Sequence, residues 1–388
     1  MELLLLFIFL LLSCLTVNFF PPKSKAIFNS QLPPGTTSWP INEKILQGSV
    51  QNLTTFRTNC CFRGAAANKF LFSNENKLVS LAWPRNIRKI FPYSATPTTT
   101  IADSSLKLRV MLLGFLKPDK FAWTSFYRGI KAAHSIRKKL LGIIRQRKMD
   151  LVEKKSCHAD DLSSYLLTVP DDGGKFMSEL ETADKIWGSI IGSQDSTTTA
   201  ITFVMKYLAE FPDIYDEVLK EQRSIAEKKI PGEPLNWKDP QNMKYAWNVA
   251  CEVLRLVPPI QGNFREALTD FTFSTFFIPK GWKLNIFVYI YWTPNTTHKN
   301  PEYFPQPEKF DPSRFEGTGP IPYAYIPFGG GPRICPGKDI ARLVILVFIY
   351  NVVGKFRWEK LIPDENTVVV PVPLPAKGLP IRLYPHST

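Results

Sequence analysis

Apolar and polar positions along this chain fall into blocks whose period changes several times. Residues 3–20 are almost continuously apolar, from Leu3 to Phe20, with Ser13, Thr16 and Asn18 as the mild interruptions. Pro21 and Pro22 close the run, and Lys23 and Lys25 follow. At roughly 1.5 Å rise per residue such a run is long enough to cross a bilayer. Positive charge on its C-terminal side predicts a transmembrane anchor with the body in the cytoplasm. A cleaved signal peptide is the competing account. The lack of a basic residue before the run and of a clear small-x-small cleavage site speaks against it. Leu32-Pro-Pro-Gly35 and Trp39-Pro40 then predict a stiff hinge over 21–40.

Helical spacing dominates the rest. It appears over 105–116, stopping at Pro118, and over 126–150, with Ile130, Ile136, Leu140, Leu141 and Ile143 on the apolar side. It returns over 161–168, ended by Pro170-Asp-Asp-Gly-Gly, and over 178–210, the longest stretch. Further helices are predicted over 213–229, over 243–256 ahead of Pro258-Pro259, and over 340–353. The last is nearly all apolar, which predicts a buried helix. Residues 69–81 read as a strand or short helix around a polar turn. Short strands are predicted over 273–287 around Pro279-Lys-Gly281, and a hairpin over 367–383 around Ala376-Lys-Gly378. The pattern predicts a mainly α protein with small β sheets (α+β): anchor 1–20, hinge 21–40 and one large unit over 41–388.

Composition and charge narrow the partners. With 48 basic and 34 acidic residues the formal net charge is +14. A basic surface suits nucleic acid, an anionic membrane face or an acidic protein. No zinc-finger spacing or aromatic-basic stacking motif supports nucleic acid, which is set aside. Much of the charge lies between Arg128 and Lys155, including Arg137, Lys138, Lys139, Arg145, Arg147 and Lys148. For any one of these a solvated helix face is the simplest account. The six cysteines (Cys14, Cys60, Cys61, Cys157, Cys251 and Cys335) are scattered without metal-site spacing, which predicts a reducing compartment for the main body.

One of these cysteines stands in unusual company: Phe328-Gly-Gly-Gly-Pro-Arg-Ile-Cys335-Pro-Gly337. A lone cysteine is commonly a buried structural thiol or a protease nucleophile. Neither explains the glycines, the arginine and the aromatic together. Helix N-termini and backbone N–H groups stabilise a thiolate, and Pro336-Gly337 leads into the apolar helix. Gly331 and Gly337 let the backbone fold tightly around sulfur and approach a flat macrocycle. Arg333 is spaced to meet a propionate in fork geometry. Thiolate ligation of a haem iron favours O–O cleavage.

Two further constellations carry chemistry. Gly192-Ser193-Gln194-Asp195-Ser196-Thr197-Thr198-Thr199 lies inside the longest helix. Consecutive threonines are poor in a helix interior, and their hydroxyls bond back to carbonyls. Asp195 and Ser196 suit a proton relay, with Gly192 for clearance; a polar, slightly strained helix with no role is the alternative. Glu252 and Arg255 face one side of a helix at i and i+3, among apolar residues. A partly buried pair needs a third partner, and Arg314 is the candidate. Glu-x-x-Arg alone is a very common string.

The pattern Phe-x-x-Gly-x-Arg-x-Cys-x-Gly at 328–337 resembles the haem-binding signature of the cytochrome P-450 family, matching every signature position. The resemblance implies haem b held by Cys335, with Phe328, Gly331, Arg333 and Gly337 around it. It implies an oxygen-activating helix at Asp195 and Ser196, and Glu252, Arg255 and Arg314 as a structural triad. Arg265, in Asn263-Phe-Arg-Glu, becomes a second propionate contact, where otherwise a surface arginine would be read. Electrons would come from NADPH through an NADPH-cytochrome reductase that meets the basic surface. The protein would be a monomer in the endoplasmic reticulum membrane, with a cytoplasmic body and a hydrophobic substrate. Asn68–Lys77, Val249-Ala-Cys-Glu-Val, Gln261–Asp270, Trp358–Glu365 and Pro375–Pro380 resemble the plant triterpenoid-oxidising branch, whose members oxidise β-amyrin, often at C-28; related members act on taxanes.

The chain departs from that branch in places. Ser193 stands where glycine is usual, Ser196 where threonine is usual, and Val344 where an acid is usual. Asn285 to Ile290 resembles an inserted apolar stretch. The chain also looks short, with gaps placed near 41–61 and 118–126, where several mid-chain helices are expected. A truncated, catalytically impaired paralogue or splice product is therefore the alternative to a working monooxygenase. An oxygen-independent haem-thiolate isomerase is disfavoured by the retained Asp195/Ser196 pair.

Overall fold

The computed structural model describes residues 60–62, 64–81, 125–153, 161–171, 173–230, 232–274, 276–281, 290–369 and 372–386. The expected anchor and hinge, the 105–116 helix, and the inserted stretch up to residue 289 lie outside the described residues. Among the described residues no helix is long and apolar enough to cross a membrane.

The helical half is built on α4 (Glu179–Glu210). It begins one residue after the predicted boundary because Ser178 and Glu181 form a reciprocal capping box, each side chain taking the other's backbone N–H. Ala200, Phe203, Val204 and Leu208 of α4 enter the main core. Against them pack α5 (Pro212–Ala226), α6 (Lys244–Leu256) and α7 (Lys338–Val353). Trp358 seals this core and donates its indole N–H to the Met205 carbonyl at 2.9 Å.

The 340–353 prediction needs a correction. Ile345, Leu346, Ile349 and Val353 of α7 are buried, Phe348, Tyr350 and Val352 are partly buried against the same core, and Ile340 and Val344 are exposed. A run that is apolar all round hides its own inward face, so periodicity cannot orient it.

Outside α4 lie α2 (Ser125–Val152) and α3 (Leu162–Thr168), the latter capped by Asp161 as its carboxylate accepts the Ser164 N–H. Ile144, not the predicted Ile143, is fully buried on α2. The basic stretch is not a uniformly solvated face. Arg137 is buried, with its Nε donating to Asp184 of α4 at 2.8 Å and Asp184 itself shut from water. Arg145 and Lys148 meet Glu179, and Arg147 meets Asp161. The positive charge of α2 thus fastens it to α3 and α4.

The strand half forms a four-stranded sheet in the order β1 (Cys60–Phe62), β6 (Ile290–Trp292), β3 (Asn263–Ala267), β2 (Val79–Leu81). The β1–β6 pair is parallel and the other two pairs are antiparallel. Between β1 and β2 runs α1 (Gly64–Ser73), whose Leu71 and Phe72 join Phe62, Val79 and Ile278 in a second core. The 69–81 stretch is thus the end of a helix, a turn and a strand.

One predicted turn stands where expected and one predicted hairpin pairs differently. β4 (Phe271–Phe273) pairs with β5 (Phe276–Ile278) in a hairpin that reverses near Ser274, and Pro279-Lys-Gly281 is the turn that follows β5, with Gly281 at φ +72°. β8 (Thr367–Val369) pairs with β9 (Pro373–Pro375), while β10 (Ile381–Pro385) pairs with β7 (Phe356–Lys360). Ala376-Lys-Gly378 therefore separates two sheets instead of closing the one hairpin expected over 367–383.

The Arg137–Asp184 pair generates a stability prediction. Removing one partner of a buried pair leaves the other charge uncompensated, at a cost of about 3–5 kcal/mol. Asp184→Ala should lower the urea midpoint accordingly, whereas Glu179→Ala, which breaks exposed pairs, should shift it by under about 1 kcal/mol. Equal shifts in the two variants would contradict the assignment.

Candidate functional site

The predicted triad is assembled around one carboxylate. Glu252 and Arg255 both lie fully buried on α6. Arg255 donates through Nε to Glu252 Oε2 at 2.6 Å and through Nη2 to Oε1 at 2.8 Å, a two-pronged pairing. Its Nη1 reaches the His298 carbonyl at 2.8 Å and its Nη2 the Lys309 carbonyl at 3.3 Å. Glu252 Oε1 also accepts the Asp311 N–H at 2.9 Å. Arg314 approaches that oxygen at 3.4 Å and donates through Nη2 to the Gln306 carbonyl. The sequence indicated three side chains; main-chain groups of 298, 309 and 311 complete the set.

His298 carries this cluster onward. Its Nε2 accepts the Ile326 N–H at 2.9 Å, and its ring stacks on Tyr325 at 5.3 Å between centroids. Burial first, and then the neighbouring Arg255 charge, push the imidazole down to about 3 from its ordinary 6.5. It is therefore neutral and able to accept. Sequence reading missed this histidine, because nothing around Thr296-Thr-His298 marks it as buried.

Ile326 opens the Cys335 loop. Gly329 N–H bonds to Ile326 O, a short 3-10 turn follows over Gly331–Arg333, and Cys335 N–H returns to Phe328 O at 2.9 Å. Phe328 packs against the main core. α7 then starts at Lys338 with Gly337 in the cap position, so Cys335 lies just ahead of the helix's positive end. The thiol is half-buried. Burial raises its pKa, and the Gly337 N–H pulls the other way.

Two of the loop's glycines meet a neighbour that the sequence did not show. A Cβ on Gly331 would meet the Phe72 carbonyl oxygen at 2.5 Å, and the residue sits at φ +65°. A Cβ on Gly330 would meet the Phe72 ring at 2.5 Å. These two glycines let α1 lie against the loop. At Gly337 an added Cβ would stand 3.9 Å from the Cys335 sulfur, an ordinary contact, so clearance around sulfur is not what calls for glycine there.

Arg265 and Arg333 arrive from different elements at the same place. Arg265, on β3 and in register with Leu81, is buried and pairs through Nε with Glu75 Oε2 at 2.9 Å. Arg333 Nε stands 3.6 Å from Glu75 Oε1 and makes no hydrogen bond. Arg265 is thus not a surface arginine. Glu75, which sequence reading did not single out, hides in the polar turn Ser73-Asn-Glu75-Asn-Lys77; no spacing rule marks a buried acid there.

Asp195 and Ser196 sit half-buried in the middle of α4. Ser196 Oγ donates to the Gly192 carbonyl at 2.7 Å, the backbone bonding expected of this stretch, and the helix remains continuous through it. Thr199 is fully buried. Nearly two turns into α4, Lys185 has its pKa lowered by burial first and then by the Arg333 charge.

The cytochrome P450 family model matches residues 98–377. A beta-amyrin 28-monooxygenase from Kalopanax septemlobus is 44% identical over 465 residues, covering 95% of each chain. One from Vitis vinifera is 43% identical over 452 residues, covering 92% of each. Among solved structures, the retinoic acid-bound cyanobacterial CYP120A1 superposes with a TM-score of 0.74 at 24% identity, over 92% of this chain and 100% of that one.

The buried His298 makes stability pH-dependent with a definite sign. Its folded pKa lies below its unfolded value, so as pH falls below about 6.5 the unfolded chain binds a proton that the folded protein refuses. Its contribution to stability therefore falls by about 1.4 kcal/mol per pH unit from there toward pH 3. By pH 5 the loss attributable to His298 is about 2 kcal/mol. His298→Gln keeps an acceptor for Ile326 N–H but cannot titrate. Urea denaturation at pH 7.5 and pH 5 should show the parent losing that much more than the variant; equal losses would refute it.

Proposed function

This chain belongs to the cytochrome P450 family, and on that premise we propose that it oxidises a pentacyclic triterpenoid of the β-amyrin type, with C-28 as the position attacked. Membership makes it an oxidoreductase, a monooxygenase that uses haem b with electrons from NADPH through a reductase. The substrate assignment rests on the names of its relatives, among which are beta-amyrin 28-monooxygenases at 39–44% identity.

The residues present fit the cofactor. Arg333 Nε is buried without a hydrogen bond, a donor suited to a propionate, and the half-buried Cys335 thiol lies at the head of α7. Cys335 would hold the iron through sulfur, and Arg333 and Arg265 would hold the propionates. Haem held by thiolate supplies oxygen activation and the insertion of one oxygen atom into a C–H bond. The protein's own part begins with the thiolate: burial opposes it, the Gly337 N–H favours it, and a coordinated thiol is deprotonated outright. Phe328 anchors the loop in the core. Asp195 and Ser196 supply a carboxylate and a hydroxyl for proton delivery, with Ser196 Oγ held at the Gly192 carbonyl until it turns to pass its proton on.

The Cys335 loop is the single observation that carries this reading. The surroundings expected of it are a membrane-anchored chain with residues 1–20 in the endoplasmic reticulum bilayer, a cytoplasmic haem body, and a reductase meeting the basic surface as a monomer's partner. A second reading is a haem-binding paralogue impaired in turnover. It is supported by the alignment with the Kalopanax relative, which at 465 residues is longer than the 388 residues of this chain. Positions of that relative therefore lack counterparts here.

The reduced, carbon monoxide-bound absorption spectrum separates the cases. The expressed protein should show the red-shifted Soret band of thiolate ligation, and Cys335→Ala should abolish it. With a reductase and β-amyrin, an oxidised product should then appear. Haem uptake without product would favour the impaired paralogue, and absence of haem uptake would remove both.

A further inference from the structure

Three separate parts of the chain are held by two adjacent residues, Thr297 and His298, at the end of the short helical turn Asn295–His298. Both are fully buried. The His298 carbonyl accepts Arg255 Nη1 at 2.8 Å, which ties the turn to α6. The Thr297 hydroxyl accepts the Gly64 N–H at 3.1 Å, at the start of α1. The His298 ring accepts the Ile326 N–H at 2.9 Å, ahead of the Cys335 loop.

Ile326 is the residue from which that loop departs. Its side chain lies in the second core with Leu71 and Phe72, and its carbonyl accepts the Gly329 N–H at 3.0 Å. Its neighbour Tyr325 stacks on the His298 ring and donates its hydroxyl to the Cys251 carbonyl of α6 at 3.0 Å. Tyr325 thus fixes its own side chain to α6, while the His298 bond fixes main chain. The Cys335 N–H returns to the Phe328 carbonyl, so the place of the sulfur follows from the course of 326–328.

We propose that His298 is a positioning residue for the cysteine ligand: by accepting the Ile326 N–H through Nε2 it fixes the start of the Cys335 loop against α6, and so sets where the sulfur stands toward the iron. The inference rests on the haem reading above and deepens it. His298 acts through the main chain and touches neither the sulfur nor the cofactor. Partners that orient a metal-holding residue typically cost about 10–100-fold in affinity when removed.

The acceptor nitrogen supplies the test, because it sits at the far edge of the ring. Glutamine carries an amide oxygen out to about the place of Nε2, whereas asparagine reaches only that of Nδ1. His298→Asn should lose most of the red-shifted Soret band of the reduced, carbon monoxide-bound protein to an unshifted band. Its ferric form should release haem to a haem-scavenging apoprotein at least about tenfold faster than the parent. His298→Gln should keep the band and release haem at the parental rate. Asp184→Ala, which lowers stability away from the loop, should also keep the band, and this separates positioning from stability alone. If His298→Asn fails to fold, His298→Gln decides alone: a retained band upholds the assignment and a lost one overturns it. A parental band and haem release in folded His298→Asn, or an equal loss of the band in Asp184→Ala, would also overturn it. A parent that takes up no haem would instead remove the functional reading on which this rests.

Discussion

The Glu252–Arg255 pair is the interaction on which the rest of the structure hangs. Two charges removed from water carry a desolvation penalty of several kcal/mol each, which mutual attraction offsets only if the remaining donors and lone pairs are filled. Here they are filled from three separate segments: the 298 turn, the 306–311 connection and Arg314. Little regular structure lies between Trp292 and Lys338, and its course is set by carbonyls and N–H groups reaching for these two side chains. His298 then passes the arrangement to Ile326, where the Cys335 loop begins. The buried pair thus acts less as a source of stability than as a template for a long irregular connection.

Much of this was legible because it is local. The helix over 178–210 has its boundary written in a capping box. Glu252 and Arg255 are three residues apart, so helical geometry alone brings them together. The Cys335 loop is a contiguous string, and its comparison with known families follows from that string. What the sequence hid is non-local. Arg137 looks like its neighbours Lys138 and Lys139, and only Asp184, 47 positions away, explains why it is buried. Glu75 sits in a stretch that reads as surface turn, yet its partners come from a strand and a loop far along the chain. Gly330 and Gly331 also admit Phe72, a neighbour more than 250 positions away that the loop's own string does not announce. The hairpin expected over 367–383 failed for a related reason: turn chemistry marks a reversal without saying which strands it joins.

The long helix α4 divides into two halves with different duties. Its C-terminal half is core, with Phe203, Val204 and Leu208 shut from water. Its middle carries small and hydroxylated residues whose side chains bond back to their own helix, as Ser196 does to Gly192 and Ser193 to Ile190. That self-bonding satisfies Ser193 and Ser196 within one helix, whereas the buried Thr199 hydroxyl has no hydrogen-bond partner among the described residues. A packed half and a hydroxyl-rich middle thus lie on one unbroken element.

The seating of α1 on the Cys335 loop has a consequence for how the protein is made. Asn76 and Arg333 lie 257 positions apart, and the Phe72–Gly331 contact spans a similar distance. Synthesis proceeds from the N-terminus at about 5–20 residues per second, so α1 and β2 wait roughly ten seconds to a minute for the loop that covers them. Throughout that interval Leu71 and Phe72 lack the partner that buries them. Contacts of such long sequence separation are also the slowest to close. The Cys335 loop is therefore among the last parts of the chain to acquire its shape, and until it does the apolar face of α1 that seats on it stays uncovered there.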